Sequence, residues 1–254
     1  MLLIPAIDLK DGHCVRLKQG VINDSTHFAD DPTEPAQRWL QAGARRLHIV
    51  DLNGAFAGEP KNETAVRAIA DVVKGKIPIQ LGGGIRDLKT IDRYLSCGIT
   101  DIIIGTAAIK NPEFLKQACA EFKGRVMIGL DAKEGKIAID GWQTITTIDA
   151  IDFVKDLQAL ACKAIIYTDI SRDGMLNGIN VKSTLKMAES TSIPIVASGG
   201  LSYMADIEAF CQPNKTRIAG IICGTAIYSG QIDFAKAQQQ CDAICRDVNL
   251  AQQL

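Results

Sequence analysis

Eight short runs dominated by Ile, Val and Leu (LLIPAI, RLHIV, IPIQL, DIIIG, RVMIG, AIIYT, IPIVA and AGIIC) recur along the chain, each followed by Gly, Asp or Thr and then by a longer amphipathic stretch. Continuously apolar strands belong in a parallel sheet covered on both faces, and the amphipathic stretches supply the covering helices. Eight such units close on themselves, so the pattern predicts an α/β fold of one kind, a single (β/α)8 TIM barrel, for which 254 residues is an ordinary length. Helix punctuation agrees: TEPAQRWLQAG ends in Ala-Gly after an apolar stripe, and DLKTIDRYLSCG opens on an Asp cap and closes on Gly.

The two halves of the chain also align with each other. IPAIDLKDG sets Asp8 where MIGLDAKEG sets Asp131, 123 positions on; HIVDLNG sets Asp51 where YTDISRDG sets Asp169, 118 on; QLGGGI (Gly83) matches ASGGL (Gly199) at 116; and IIIGTAAI (Gly105) matches IICGTAIY (Gly224) at 119. Four matches in the same order at nearly constant spacing indicate an internal repeat of half-barrels, approximately 1–122 and 123–240. FKGRVMIGL runs from a helix straight into the fifth strand with no linker, so residues 1–254 read as one domain. Long connections follow strand one (roughly Lys10 to Pro32) and strand five (Lys133 to Thr147); their length and Gly12, Gly20, Gly135 and Gly141 suggest loops that close over a ligand. The end of the chain reads as a final helix after Ile232 with a frayed NLAQQL tail.

Charge excludes some partners. With 28 basic against 29 acidic residues, no electrostatic excess points to nucleic acid or an anionic membrane, and any anion must be held by local groups. MLLIPAIDLKDG has too short an apolar run and no basic start for a signal peptide, and no stretch approaches the ~18 apolar residues of a membrane span. The eight cysteines form no CxxC pair and sit mostly in apolar or helical segments, Cys241 and Cys245 among them, which fits a reduced, cytoplasmic protein. His13, His27 and His48 show no ligand spacing, and His48 inside a strand reads as a packed core residue, so no metal is expected. GGGIR lacks the GxGxxG and ribose-binding acid of a nucleotide fold, so no nicotinamide cofactor is expected either. No obligatory protein partner is evident.

In a barrel of this kind the ligand meets the face where strands end, so polar residues at strand ends are candidates. Asp8 and Asp131 end strands one and five, four apart in a ring of eight, and two carboxylates flanking one substrate suit a general acid and a general base. Asp51 and Asp169 end strands two and six, where binding a ligand and bonding to loop N–H groups are equal alternatives. Thr168 precedes Asp169 and either serves the site or satisfies a strand end. Gly83-Gly84 and Gly199-Gly200 let backbone N–H groups approach an anion, and with Gly105-Thr106 and Gly224-Thr225 they form two phosphate cradles on opposite sides of the barrel. Two cradles imply a small-molecule substrate with two separated phosphates. Arg16, Arg86, Trp142 and Arg172-Asp173-Gly174 lie in the adjoining loops, the arginines suited to anions or carboxamides and the indole to stacking on a planar heterocycle.

IPAIDLKDGHCVRLKQG, HIVDLNGAFAG, QLGGGIR, GTAAI, GLDAKEGKIAIDGWQ, YTDISRDGMLNG, ASGGL and GTAIYSG together resemble the phosphoribosylformimino-aminoimidazole carboxamide ribotide isomerases of histidine biosynthesis, over essentially the whole chain. The resemblance implies a cofactor-independent Amadori rearrangement of an aminoaldose to an aminoketose. It implies Asp8 as the base that removes the sugar C2 proton, Asp131 as the acid that protonates the ring oxygen, Thr168 as an assisting residue, Arg16 and Trp142 as substrate contacts, and the four glycine elements as the phosphate sites. The homologous cyclase subunit of the next step is the nearest competitor, but VRLKQG, GWQ and TDISRDG are similar to the isomerase. An isomerase that also accepts phosphoribosylanthranilate and a barrel that binds without turnover remain open.

Overall fold

A computed structural model of the chain describes residues 1–18, 21–211 and 218–244; Gly20, Cys245 and the NLAQQL tail lie outside them. Eight parallel strands form the barrel: β1 (Leu2–Lys10), β2 (Leu47–Asp51), β3 (Ile79–Gly82), β4 (Asp101–Ile104), β5 (Val126–Lys133), β6 (Ile165–Asp169), β7 (Ile195–Ser198) and β8 (Ile218–Cys223). Each pairs with the next, β5 with β6 through Ile165↔Ile128, and β8 closes the ring on β1 through Leu2↔Gly220 and Ile4↔Ile222. All eight apolar runs are therefore barrel strands. Helices cover the outside: Ile69, Ala70 and Val73 of Glu63–Val73 and Ile91 and Tyr94 of Leu88–Ser96 are buried in one large core with the outward faces of the strands.

Side chains alternate across a strand, so every second residue points into the barrel. Leu2, Ile4, Ala6, Ile103, Met127, Ala164, Ile166, Val196 and Ile222 pack there as a separate apolar cluster. The next inward step beyond Ala6 is Asp8, beyond Ile166 it is Thr168, and two steps beyond Met127 it is Asp131. The strand register thus sets the catalytic candidates on top of a filled core. Near the opposite, N-terminal end of the strands the interior is charged: Asp101 accepts from Arg46 Nη1 at 2.5 Å and from Lys163 Nζ at 2.8 Å, and Gln80 joins the cluster to His48 at 3.0 Å. His48 is buried as expected and neutral, since burial and the Arg16 charge push its pKa down to about 3.

The two long connections are not irregular. β1 turns at Asp11-Gly12 into an antiparallel strand, His13–Lys18, which pairs with a third, Val21–Ala29; β5 turns at Glu134-Gly135 into Lys136–Ile139, which pairs with Thr144–Asp149. Both turns have two consecutive residues at positive φ (52° and 85°; 51° and 80°), the conformation of a tight two-residue hairpin. The Asp-Gly and Glu-Gly dipeptides of the repeat are hairpin turns, so the long connection in each half is a β-ribbon at the barrel mouth.

Candidate active site

One cavity opens at the C-terminal ends of the strands, with Ala6, His48, Ile103, Ile166 and Ile222 among its lining side chains. Around its walls stand Asp8, Arg16, Gly83, Gly84, Arg86, Gly105, Thr106, Asp131, Trp142, Thr168, Gly174, Gly199, Gly200, Gly224 and Thr225. Candidates drawn from seven different strand ends and loops thus converge on one space.

The two aspartates occupy equivalent registers, Asp8↔Val15 and Asp131↔Ala138 in the hairpins, yet their partners differ. Arg16 Nη1 lies 2.8 Å from Asp8 Oδ2, with both side chains largely buried. Burial raises the Asp8 carboxyl above its ordinary value and the guanidinium opposes that rise. Arg16 is drawn in because Gly224 has no side chain: a Cβ there would fall on the guanidinium, which also sits 5.9 Å from the Tyr228 ring centroid. The ion pair is close but not aligned as a hydrogen bond, and buried Arg16 Nε donates to no atom of the described residues, so the group keeps donors for a ligand.

Among the described residues no cation pairs with Asp131. Trp142 Nε1 donates to its Oδ2 at 2.8 Å and the Thr168 hydroxyl adds a second bond; burial pushes the carboxyl up and these neutral donors partly offset it. Trp142 gets there through three consecutive left-handed residues, Asp140, Gly141 and Trp142 (φ 56°, 62° and 70°). The bend is tied down: Asp140 pairs with Lys110 Nζ at 2.7 Å, its N–H donates to Thr106 Oγ1 at 2.9 Å, and Gly141 lies against the Phe56 ring, where a Cβ would come within 2.9 Å.

Asp51 and Asp169 do not line the cavity. Each is one step past an inward residue, Val50 or Thr168, and therefore points outward, which corrects their place among the ligand-binding candidates. Asp51 Oδ1 accepts from Gly54 N (2.8 Å) and Asn62 Nδ2 (2.7 Å), and Oδ2 from Lys61 N (2.7 Å) and Asn62 N (2.9 Å). Asp169 accepts from Ser171 N (3.0 Å), Ser171 Oγ (2.6 Å) and Asn180 Nδ2 (2.6 Å). The two asparagines are 118 positions apart, as are the two aspartates, so the same Asp-Asn clasp holds the loop in both halves.

The glycine runs answer to a second constraint besides ligand approach. Gly83 and Gly199 have φ of 105° and 88°, and a Cβ on either would strike the backbone carbonyl of Asp51 or Asp169. Gly84 and Gly200 are likewise at positive φ and face the backbone of Glu59-Pro60 and of Gly178. Each pair packs against the preceding loop on one side while presenting its backbone to the cavity on the other. Arg86 rests over Gly58 in the same manner as Arg16 over Gly224.

The cavity also holds Asp173, which the sequence marks only as part of a loop. Burial, with the nearby Asp8 and Asp131 charges and against the pull of Arg16, pushes its carboxyl up to about 6. Only the folded path of the loop after β6 aims it inward; the RDG triplet by itself carries no such direction. Phe56, Leu176 and Ser198 also line the cavity and have no distinct sequence signal.

The closed parallel ring with its site at the strand C-termini makes this a (β/α)8 barrel of the TIM class. The family model described as "Histidine biosynthesis protein" matches residues 2–233, and the chain belongs to that family. It is 58% identical to a protein from Acidovorax sp. (strain JS42) and 60% identical to one from Delftia acidovorans, in each case across 96% of this chain and 99% of the relative. A protein from Leptothrix cholodnii is 58% identical across 96% of this chain and 98% of its own length. Each of these relatives is named a 1-(5-phosphoribosyl)-5-((5-phosphoribosylamino)methylideneamino) imidazole-4-carboxamide isomerase.

Proposed function

We propose that the cavity isomerises the ribotide in its relatives' name, a small molecule with two phosphoribosyl groups, from aminoaldose to aminoketose. Asp131 as the neutral acid gives its proton to the furanose ring oxygen, and the glycosylamine nitrogen forms a C1=N bond as the ring opens. Asp8 as the carboxylate takes the C2 proton, the electrons pass to C1=C2 and back to nitrogen, and tautomerisation leaves a C2 ketone. Every atom is retained and the oxidation at C2 balances the reduction at C1, so the step requires no external oxidant or reductant.

The contrast between the aspartates carries the reading. At equivalent registers burial raises both carboxyls, but at Asp8 a guanidinium charge opposes the rise, whereas at Asp131 only the neutral donors of an indole and a hydroxyl do. Acid and base chemistry needs that difference. The paired cradles at Gly83-Gly84 with Gly105-Thr106 and at Gly199-Gly200 with Gly224-Thr225 suit two phosphates across one cavity, and Trp142 and Arg86 flank the space between. Their symmetry also supports an origin from two half-barrels. A second reading assigns the acid to Asp173, whose carboxyl at about 6 retains a proton fraction near neutrality.

Incubating the purified protein with the bis-phosphorylated ribotide and, separately, with phosphoribosylanthranilate tests the proposal. Conversion of the first to the ketose is expected; consumption of the second identifies a dual-substrate enzyme. Binding of the ribotide without turnover would sink the enzymatic reading. Among the described residues seven cysteines carry free thiols, which supports a reducing cytoplasmic setting.

A further inference from the structure

We propose that His13, His27 and Asp30, on the outer side of the loop-one ribbon, form a binding site for a divalent ion of the zinc class. Fourteen positions separate the two histidines and show no ligand pattern, but the hairpin brings them together. His13 begins the outgoing strand and His27 is near the end of the returning one; the register shifts between Cys14↔Ala29 and Val15↔His27. The two imidazole rings stand edge to face at 5.5 Å, and both turn to Asp30: its Oδ1 is 3.2 Å from His27 Nε2 and 3.7 Å from His13 Nδ1, and that Nδ1 also lies 3.1 Å from the Asp30 backbone carbonyl, a bond it exchanges for the ion.

One ligating atom from each residue lies within 4.8 Å of the other two. Zinc binds imidazole nitrogen and carboxylate oxygen at about 2.0–2.2 Å in a tetrahedron, whose edges are then roughly 3.4 Å. The two edges at Asp30 already bracket that length, and the third closes by side-chain rotation at exposed positions. Two imidazoles with one carboxylate are borderline donors, suited to Zn2+, Co2+ or Ni2+ rather than to Mg2+ or Ca2+, which prefer oxygen. Three protein ligands leave a tetrahedral ion one position for water.

The placement gives the ion a mechanical effect. It would clasp the outgoing strand to the returning one at the base of the ribbon, three residues before Arg16, which pairs with Thr26 across the same hairpin. Since Arg16 is the cation beside Asp8, an ion at this site would brace the element that presents it. The three ligands themselves do not line the cavity.

The test uses the untagged full-length protein, freed of metal with a chelator and titrated with Co2+ while the visible absorption is followed. One equivalent should bind with d–d bands, without thiolate charge transfer, and Zn2+ should displace it. His27→Ala and Asp30→Asn should each weaken binding at least about tenfold, since loss of even an outer-shell partner of a metal costs that much, while ion-free isomerase activity stays that of the unaltered chain and reports intact folding. Absence of a Co2+ spectrum at millimolar ion, thiolate charge-transfer bands, or unchanged affinity in both variants would overturn the proposal.

Discussion

Replacing Asp51 by Ala separates a scaffold role from a ligand role at this position. The fully buried carboxylate accepts four hydrogen bonds, from Gly54 N, Lys61 N, Asn62 N and Asn62 Nδ2, at 2.7–2.9 Å. Hydrogen bonds to a charged group contribute about 1.5–3 kcal/mol each, and a buried donor left unpaired costs about 1–3 kcal/mol. Four such losses would sum to more than a single substitution usually costs, but water entering the space and relaxation of the loop offset part of it, so about 3–5 kcal/mol is the expected net, as for a broken buried charge network. At roughly 2–4 °C per kcal/mol for a chain of this size, Tm should fall by at least about 6 °C. The assay is urea unfolding by fluorescence and circular dichroism, with ligand affinity measured well below the new midpoint. A variant destabilised by less than about 1 kcal/mol that had lost substrate affinity outright would refute the reasoning and return Asp51 to the binding surface.

Three further outcomes are expected. Gly83→Ala should cost at least about 2 kcal/mol more than Gly43→Ala, because both are at positive φ but only the Gly83 Cβ meets a backbone carbonyl, while Gly43 faces open space; paired denaturation curves check this. Trp142→Phe removes the indole donor that lowers the Asp131 pKa, so the alkaline limb of the kcat profile should move to higher pH; a shift to lower pH would contradict the assignment of Asp131 as the acid. Asp173 ionises at 3.8 unfolded and at about 6 folded, so its penalty is absent below pH 3.8 and grows as pH rises to 6; Asp173→Asn should stabilise the fold at pH 7 by up to about 3 kcal/mol and by nothing near pH 3.5, measured by unfolding at both pH values.

Much of this was readable from residue order because a barrel strand has a strict period of two. Counting from Leu2 through Ile4 and Ala6 leads to Asp8 on the inner face, and the same count passes through Val50 and leaves Asp51 outside. That alternation was the unused signal that distinguishes the two aspartate pairs. The ribbons were also written in the sequence, as Asp-Gly and Glu-Gly turns in KDGH and KEGK. What residue order does not carry is the long-range closure: Arg16 reaching Asp8 past Gly224, Trp142 swinging onto Asp131 through three left-handed residues, and Asp173 turned inward by its loop. Those contacts depend on packing between loops from different strands, and they are what makes the two aspartates unlike.

The most direct test of that difference is turnover of the bis-phosphorylated ribotide by the unaltered protein, Asp8→Asn and Asp131→Asn, with ligand affinity measured alongside by calorimetry. General acid–base groups contribute about 10²–10⁴-fold in rate, so each variant should lose kcat on that scale while binding the ribotide nearly as well, as expected for groups that act in the transition state. Near-normal kcat in either variant would contradict the account.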